Sequence, residues 1–254
     1  MKCKICHSES VQFDEAKVLN KYPITYYRCP HCGFIQTEEP FWLDEAYSDA
    51  ILDADIGLLG RNYNFSHVVS AILKLCLPDA ETFLDYGGGR GIFVRLMRDM
   101  GFSFEWYDKY CQNIFSPQFV KSREHYDVIT AFELFEHLPD PLHDIEMLLN
   151  LGTNVIFSTE LLPQSTPPIK SWWYYDPEDG QHISFFTEKS LELIAQKFHC
   201  SYSQCGGLHI LGKMKLPSWK LKLCSRFPAL INRFLKRESL LAADYERITG
   251  KPLK

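Results

Sequence analysis

The chain has 254 residues, a formal net charge of −5 and a hydrophobic content of 46%. That length holds one full α/β domain plus a small module, and no apolar run reaches the roughly 18–20 residues a membrane-crossing helix needs. The acidic balance, with a pI near 6.0, argues against a general nucleic-acid surface, which requires clustered positive charge.

The first motif in chain order is a pair of C-x-x-C knuckles, Cys3-Lys-Ile-Cys6 and Cys29-Pro-His-Cys32-Gly33, with twenty-two residues between them. Thiolates two residues apart in a tight turn hold one tetrahedral zinc from the same side, and a second knuckle closes a four-thiolate site with no open position. Tyr22 to Arg28 between the knuckles reads as a strand, and residues 1–36 look like a zinc ribbon, with zinc in a structural role and His7 and His31 as bystanders. Disulfides are the competing reading. No signal peptide precedes Cys3 and the other five cysteines follow no framework, which favours a reducing, cytoplasmic setting.

Residues 37–80 are expected to contain helices, including one over Phe65 to Leu77 preceded by Arg61, Asn62, Tyr63 and Asn64. The run Phe83-Leu-Asp-Tyr-Gly-Gly-Gly-Arg-Gly91 follows, then Ile92, Phe93, Leu96 and Met97 at helical spacing. This is a strand, a glycine turn and a helix. Glycine permits positive φ and close approach of a ligand to the backbone, and the helix start directs free N–H groups at it. A dinucleotide loop reads G-x-G-x-x-G. Here Gly87, Gly89 and Gly91 alternate directly after Asp85 and Tyr86. The arrangement resembles the first motif of class I S-adenosylmethionine (SAM)-dependent methyltransferases. That resemblance implies a Rossmann-like sheet with flanking helices, and cofactor contacts from Asp85 and the Gly87–Gly91 backbone to the methionine part.

Asp108 ends a short aromatic strand at 104–107, seventeen residues past Gly91. A carboxylate there accepts ribose hydroxyls, a role the resemblance also gives it. Glu105 is one strand step out of phase and reads as solvated. The run from Tyr126 to Pro141 opens with an apolar strand at 127–132 (Val128, Ile129, Ala131, Phe132), as in a parallel sheet covered on both faces, and continues through the motif Phe132-Glu-Leu-Phe-Glu-His-Leu-Pro-Asp-Pro141. That run is similar to the fourth-strand motif of small-molecule methyltransferases. It implies that Phe132 and Glu133 border the cofactor and that Glu136 and His137 border the acceptor.

Strands are expected at 153–158, 200–204 and 207–213, with helices at 91–100, 141–150 and 190–197. Between them, Trp172, Trp173, Tyr174 and Tyr175 lie in a proline-rich loop, followed by Gly180-Gln-His-Ile-Ser-Phe-Phe-Thr187, with Thr187 as an N-cap. Long irregular segments in compact domains are usually lids or binding loops, and the four aromatics are expected to stack on the acceptor. The pattern resembles methyltransferases of bacterial surface glycans and other sugars. A hydroxyl acceptor needs a base, and neutral histidine is matched to that work near pH 7. His182 is the first candidate and His137 the second.

Residues 213–237 carry eight basic side chains and no acidic one, interleaved with Leu221, Leu223, Phe227, Leu230, Ile231, Phe234 and Leu235 and interrupted at Pro228. They read as basic amphipathic helices, packed on the acidic body or lying on an anionic membrane or acidic partner. The division expected is a ribbon at 1–36, a methyltransferase domain at 37–213 and a helical segment at 214–254. The leading function is O-methylation of a sugar or glycan precursor, with the ribbon shaping the acceptor pocket or a homodimer. The alternatives are a ribosomal RNA methyltransferase gripping RNA through the ribbon, and a non-catalytic SAM-binding scaffold.

Overall fold

In the computed structural model, which describes residues 1–47 and 56–253, the first element is an antiparallel meander. It runs through β1 (Val11–Val18), β2 (Tyr22–Arg28) and β3 (Ile35–Thr37). Helix α1 (Leu43–Ala46) is a single turn, and α2 (Leu58–Cys76) begins earlier than expected and takes in Arg61 to Asn64. The rest of the region expected to be helical, residues 48–55, lies outside the described residues.

Strand β4 (Phe83–Tyr86), helix α3 (Ile92–Asp99), β5 (Phe104–Tyr107), β6 (Tyr126–Ala131), α4 (Pro141–Leu151) and β7 (Gly152–Ser158) follow at the expected places, within a residue or two. Then come β8 (Ser184–Phe185), α5 (Glu188–Lys197), β9 (Ser201–Cys205) and β10 (Leu208–Gly212). The main sheet is ordered β5-β4-β6-β7-β10-β9. Its first four strands are parallel, and β10 and β9 close one edge antiparallel. This is the class I methyltransferase arrangement. Strands buried on both faces read as continuous apolar runs, and alternate residues supply two cores. Leu84, Ile129, Val155 and Phe157 face one core with α4 and α5, while Phe83, Val128 and Ile156 face the other with α2 and α3. Thr187 caps α5, and its hydroxyl and that of Ser190 exchange hydrogen bonds with each other's backbone N–H.

The ribbon sheet also takes a strand from the region expected to form the methyltransferase domain. β8, drawn from residues 184–185, pairs with β3 as the fourth strand of the ribbon sheet, with Ile35 opposite Phe185 and Gln36 opposite Ser184. Cys3, Ile5, Cys29, Cys32 and Phe34 share a core with Phe135, Leu138, Phe157 and Phe186.

Glu105 is corrected by the structure. It accepts hydrogen bonds from the Tyr126 hydroxyl (2.5 Å) and the Ser122 hydroxyl (2.7 Å) and is not a solvated strand residue.

The basic segment forms α6 (Ser218–Arg226) and α7 (Pro228–Phe234), split at the proline, which lacks the N–H a continuous helix needs. Both pack on α2. Leu221 and Cys224 are buried, the Lys220 ammonium donates to the Leu75 carbonyl (2.9 Å), and Asn232 bonds Ser70, Lys74 and the His67 carbonyl. Helix α8 (Leu241–Thr249) is held by Asp244, which accepts from Arg98 at 2.8 and 2.6 Å and pairs with Arg95 at 2.9 Å. No helix among the described residues is long and apolar enough to cross a membrane.

Asp244 is 4% exposed. Its burial alone would raise its pKa, but the Arg98 and Arg95 guanidinium groups outweigh that and hold it below the usual aspartate value. A depressed carboxylate contributes stability above its unfolded pKa and loses it as pH falls through the folded one. Removing one partner of a buried pair strands the other charge, so Asp244→Asn should cost about 3 kcal/mol at pH 7. In urea unfolding, the difference from wild type should shrink as the pH approaches 3.

Candidate active site

A cavity of about 980 Å³ opens at the carboxyl ends of β4, β5 and β6. There the chain order reverses across the sheet, which is where open α/β sheets bind ligands. One end is the glycine turn. Gly87, Gly89 and Gly91 all have positive φ, and Gly87 and Gly88 donate to the Tyr107 carbonyl at 2.8 and 3.1 Å. A Cβ on Gly88 would lie 2.7 Å from both Asp85 Oδ2 and Trp106 Cδ1, and one on Gly91 would collide with the Asn113 amide.

Asp85 is buried behind the turn and accepts from the Thr130 hydroxyl at 2.7 Å. Burial pushes its carboxyl up to about 7; the Thr130 bond opposes the rise and the Asp108 charge adds to it. Asp108 holds the loop itself. It accepts from the backbone N–H groups of Gly89 (2.9 Å), Tyr110 (2.7 Å) and Cys111 (2.8 Å). These bonds leave one acceptor site open, on Oδ2. Phe132 packs between Phe65 and Phe93, with ring centroids at 4.7 and 4.9 Å. Glu133 sits at φ 48°, a left-handed backbone that a non-glycine residue adopts only under constraint. The constraint is Ser158, whose hydroxyl accepts from the Glu133 N–H (2.8 Å) and donates to its carboxylate (2.6 Å).

The other end of the cavity is a corner built from two segments far apart in sequence. Glu136 and His137 lie in a short 3-10 turn after β6, and His182 lies two residues before the start of β8. The Ile183 N–H donates to the Glu136 carbonyl (2.9 Å) and locks the segments together. The imidazoles of His137 and His182 meet edge to face at 4.9 Å. His137 Nδ1 donates to the Gln181 carbonyl (3.1 Å) and His182 Nδ1 to the Tyr174 carbonyl (2.6 Å). A carbonyl only accepts, so both Nε2 atoms carry lone pairs. Burial, reinforced by the nearby His182, brings His137 down to about 3; burial also lowers His182. Glu136 is fully buried, and burial followed by the Glu133 charge raises it to about 8.

The aromatic loop departs from expectation. Tyr174 and Tyr175 are buried and Trp172 is partly so, in a core with Tyr26, Ile35, Trp42 and Phe185 beneath the ribbon sheet. They are packing residues, because the irregular backbone turns their rings inward against β2 and β8. Trp173 alone of the four lines the cavity, 75% exposed. Two further aromatics escaped the sequence reading. Tyr47 and Tyr110 stack at 5.1 Å, 7° from parallel, and form a wall of the cavity. They are sixty-three residues apart on irregular backbone, so no periodicity marks them.

The four ribbon cysteines converge as the spacing implied. Their sulfurs lie within 4.8 Å of one another, with Cys3–Cys32 and Cys6–Cys32 at 3.6 Å and Cys6–Cys29 at 3.4 Å. A tetrahedral zinc with bonds of about 2.3 Å would place its sulfurs about 3.8 Å apart, so the residues fit such an ion.

An open α/β sheet with a glycine turn, a buried acid behind it and a second acid closing it defines an enzyme that binds a nucleoside-containing cofactor. The sequence model described as "Methyltransferase domain" matches residues 60–203, more than half of the chain. The chain belongs to that family. Among curated proteins, none matches the sequence.

Among solved structures, the chain is similar to an O-methyltransferase family 2 protein from Planctomyces limnophilus in complex with apigenin. Identity is 14% over 68% of this chain and 65% of that one, with a TM-score of 0.47. It is also similar to magnesium protoporphyrin IX methyltransferase from Synechocystis with bound SAM, at 14% identity over 68% of this chain and 90% of that one, with a TM-score of 0.37. The overlap therefore takes in slightly less than two thirds of the first of these proteins.

Gly88→Ala tests the turn. The added methyl must displace Asp85 or Trp106, both fixed by hydrogen bonds. SAM affinity measured by calorimetry should fall by about tenfold or more, the equivalent of at least about 1.4 kcal/mol, while circular dichroism stays that of the wild type.

Proposed function

We propose that the enzyme methylates a hydroxyl of a small, polyhydroxylated acceptor such as a sugar or glycan precursor. One observation carries this reading: two imidazoles whose Nδ1 atoms are taken by backbone carbonyls, leaving Nε2 lone pairs, line the same cavity as the cofactor turn. An amine acceptor brings its own lone pair once neutral, whereas a hydroxyl must lose its proton to become a competent nucleophile. The rim supports the acceptor class. Trp173 offers a ring face, and Asp176 and Asp179, which line the same cavity, offer acceptors for hydroxyl groups.

In this reading SAM lies along the Gly87–Gly91 turn, with Asp85, Asp108 and Phe132 around it. The acceptor oxygen attacks the sulfonium methyl in line. The new C–O bond forms as the S–CH₃ bond breaks, its electron pair stays on sulfur, and the hydroxyl proton is lost. His182 and His137 act on that hydroxyl, His182 first because it lies on the Trp173 side, next to Tyr174. Most of the rate comes from alignment of the two reactants.

A panel of nucleotide sugars, free sugars and RNA oligonucleotides with methyl-labelled SAM tests the class. Label should appear as a methyl ether on a sugar and not on RNA. His182→Ala should lower turnover by about 100-fold or more with SAM affinity within about twofold of wild type. Label on RNA, or wild-type turnover in that variant, would sink the reading.

The cysteine cluster is proposed to hold structural zinc. The ribbon sheet ends in β8, and His182 lies two residues before β8, so the metal acts at a distance on the acceptor corner. Stripping zinc or introducing Cys32→Ser should lower turnover far more than SAM affinity. Equal loss of both would show that the ribbon supports the whole domain and not the corner.

A further inference from the structure

The acceptor corner contains an arrangement that hydrogen bonding leaves unexplained. Glu136 Oε and the ring nitrogens of His137 and His182 lie within 4.8 Å of one another. Both histidines have spent their Nδ1 protons on backbone carbonyls, so their remaining atoms are acceptors. Glu136 is 0% exposed, and neither carboxylate oxygen has a hydrogen-bond partner. The nearest hydroxyls, those of Thr159 and Tyr174, are 3.1 Å apart and bonded to each other. Both hydroxyls oppose the rise that burial imposes on Glu136, but neither meets a carboxylate oxygen in hydrogen-bond geometry.

With Glu136 ionised, three acceptors therefore share the corner, and no donor bonds to either carboxylate oxygen. Burying a carboxylate without a partner is costly. A shared proton does not resolve the conflict, because His137 Nε2 is 4.0 Å from Glu136 Oε1, beyond hydrogen-bond reach. A cation placed among them would satisfy all three.

We propose that Glu136, His137 and His182 bind one divalent first-row transition ion, and that the ion holds the acceptor hydroxyl. Two imidazoles and one carboxylate are a ligand set that suits such ions and leaves coordination positions open. His137 and His182 line the cavity, so the open positions face the space where the acceptor enters. The Nδ1-to-carbonyl bonds are the outer contacts that orient metal-binding histidines, and the Ile183–Glu136 bond fixes the two halves of the site in advance.

This inference rests on placing the acceptor at that corner and states how the histidines act there. Binding to the ion lowers the hydroxyl's pKa, and the proton leaves to solvent water. The oxygen lone pair then forms the C–O bond while the sulfonium keeps the S–C electron pair. Hydroxyl and SAM give methyl ether, S-adenosylhomocysteine and one proton.

The test uses full-length protein with its cysteine cluster zinc-loaded and zinc content measured throughout. Mn²⁺, a poor ligand for thiolates, is titrated and bound ion is read by electron paramagnetic resonance. Wild type should take up one Mn²⁺ per chain. Glu136→Gln and His182→Ala should each weaken that binding by about tenfold or more, with SAM affinity unchanged as the check on folding. Chelation of the Mn²⁺ should stop turnover, and its return should restore it.

Absence of Mn²⁺ uptake by wild type, or unchanged uptake in both variants, overturns the site. If turnover persists without the ion yet fails in His182→Ala, the metal is refuted and direct action of His182 on a hydroxyl stands. If Mn²⁺ binds at one per chain but no acceptor is methylated on oxygen, the site stands and the proposed reaction falls.

Discussion

The pairing of β3 with β8 is the contact on which the acceptor side depends. Two residues of a loop 150 positions away become the fourth strand of a cysteine-bound sheet. This fixes Ile183, whose N–H reaches the Glu136 carbonyl, and Ser184, whose hydroxyl reaches the Leu138 carbonyl at 2.8 Å. The lip after β6 and the segment holding His182 are thereby held against each other. Thr187, at the start of α5, donates to the Cys32 carbonyl at 2.6 Å, and the Lys189 ammonium donates to the His31 carbonyl. The ribbon is therefore part of the wall behind the active site.

Two buried carboxylates set the polarity of the cavity. Asp85 lies behind the cofactor turn and Glu136 behind the acceptor corner, and burial raises both. Each is placed where a positively charged partner would be stabilised, because an ionised group in a low-dielectric setting needs a counter-charge. SAM carries positive charge on its sulfonium and amino groups. The two ends differ in how they are held. The turn is supported by backbone N–H groups and glycine conformations. The corner is supported by long-range strand pairing and by aromatic stacking of Phe135 on Phe157 at 3.7 Å.

The cofactor end was legible in the sequence because its parts are local. Gly87, Gly89 and Gly91 need positive φ, Asp85 immediately precedes them, and Asp108 follows at the expected spacing. The cysteine knuckles were legible for the same reason, since a C-x-x-C turn presents two sulfurs without help from the rest of the chain. The aromatic loop was not. Irregular backbone has no period, so nothing in Trp172-Trp-Tyr-Tyr175 distinguishes the one ring that lines the cavity from the three that pack under the ribbon. Glu105 was misjudged because strand phase describes the sheet face and ignores Ser122 and Tyr126 approaching from beyond it.

The sequence by itself determined the strand–turn–helix that lines the cavity, the order of the α/β elements, the capped start of α5 at Thr187 and the two cysteine knuckles of the ribbon. Each follows from residues within a few positions of one another. Only the tertiary structure decided that the ribbon sheet continues into β8, that Arg98 meets Asp244, that Tyr47 stacks on Tyr110, and that Glu136, His137 and His182 converge. Those contacts join segments 45 to 150 residues apart, and their register is fixed by packing that no local pattern encodes.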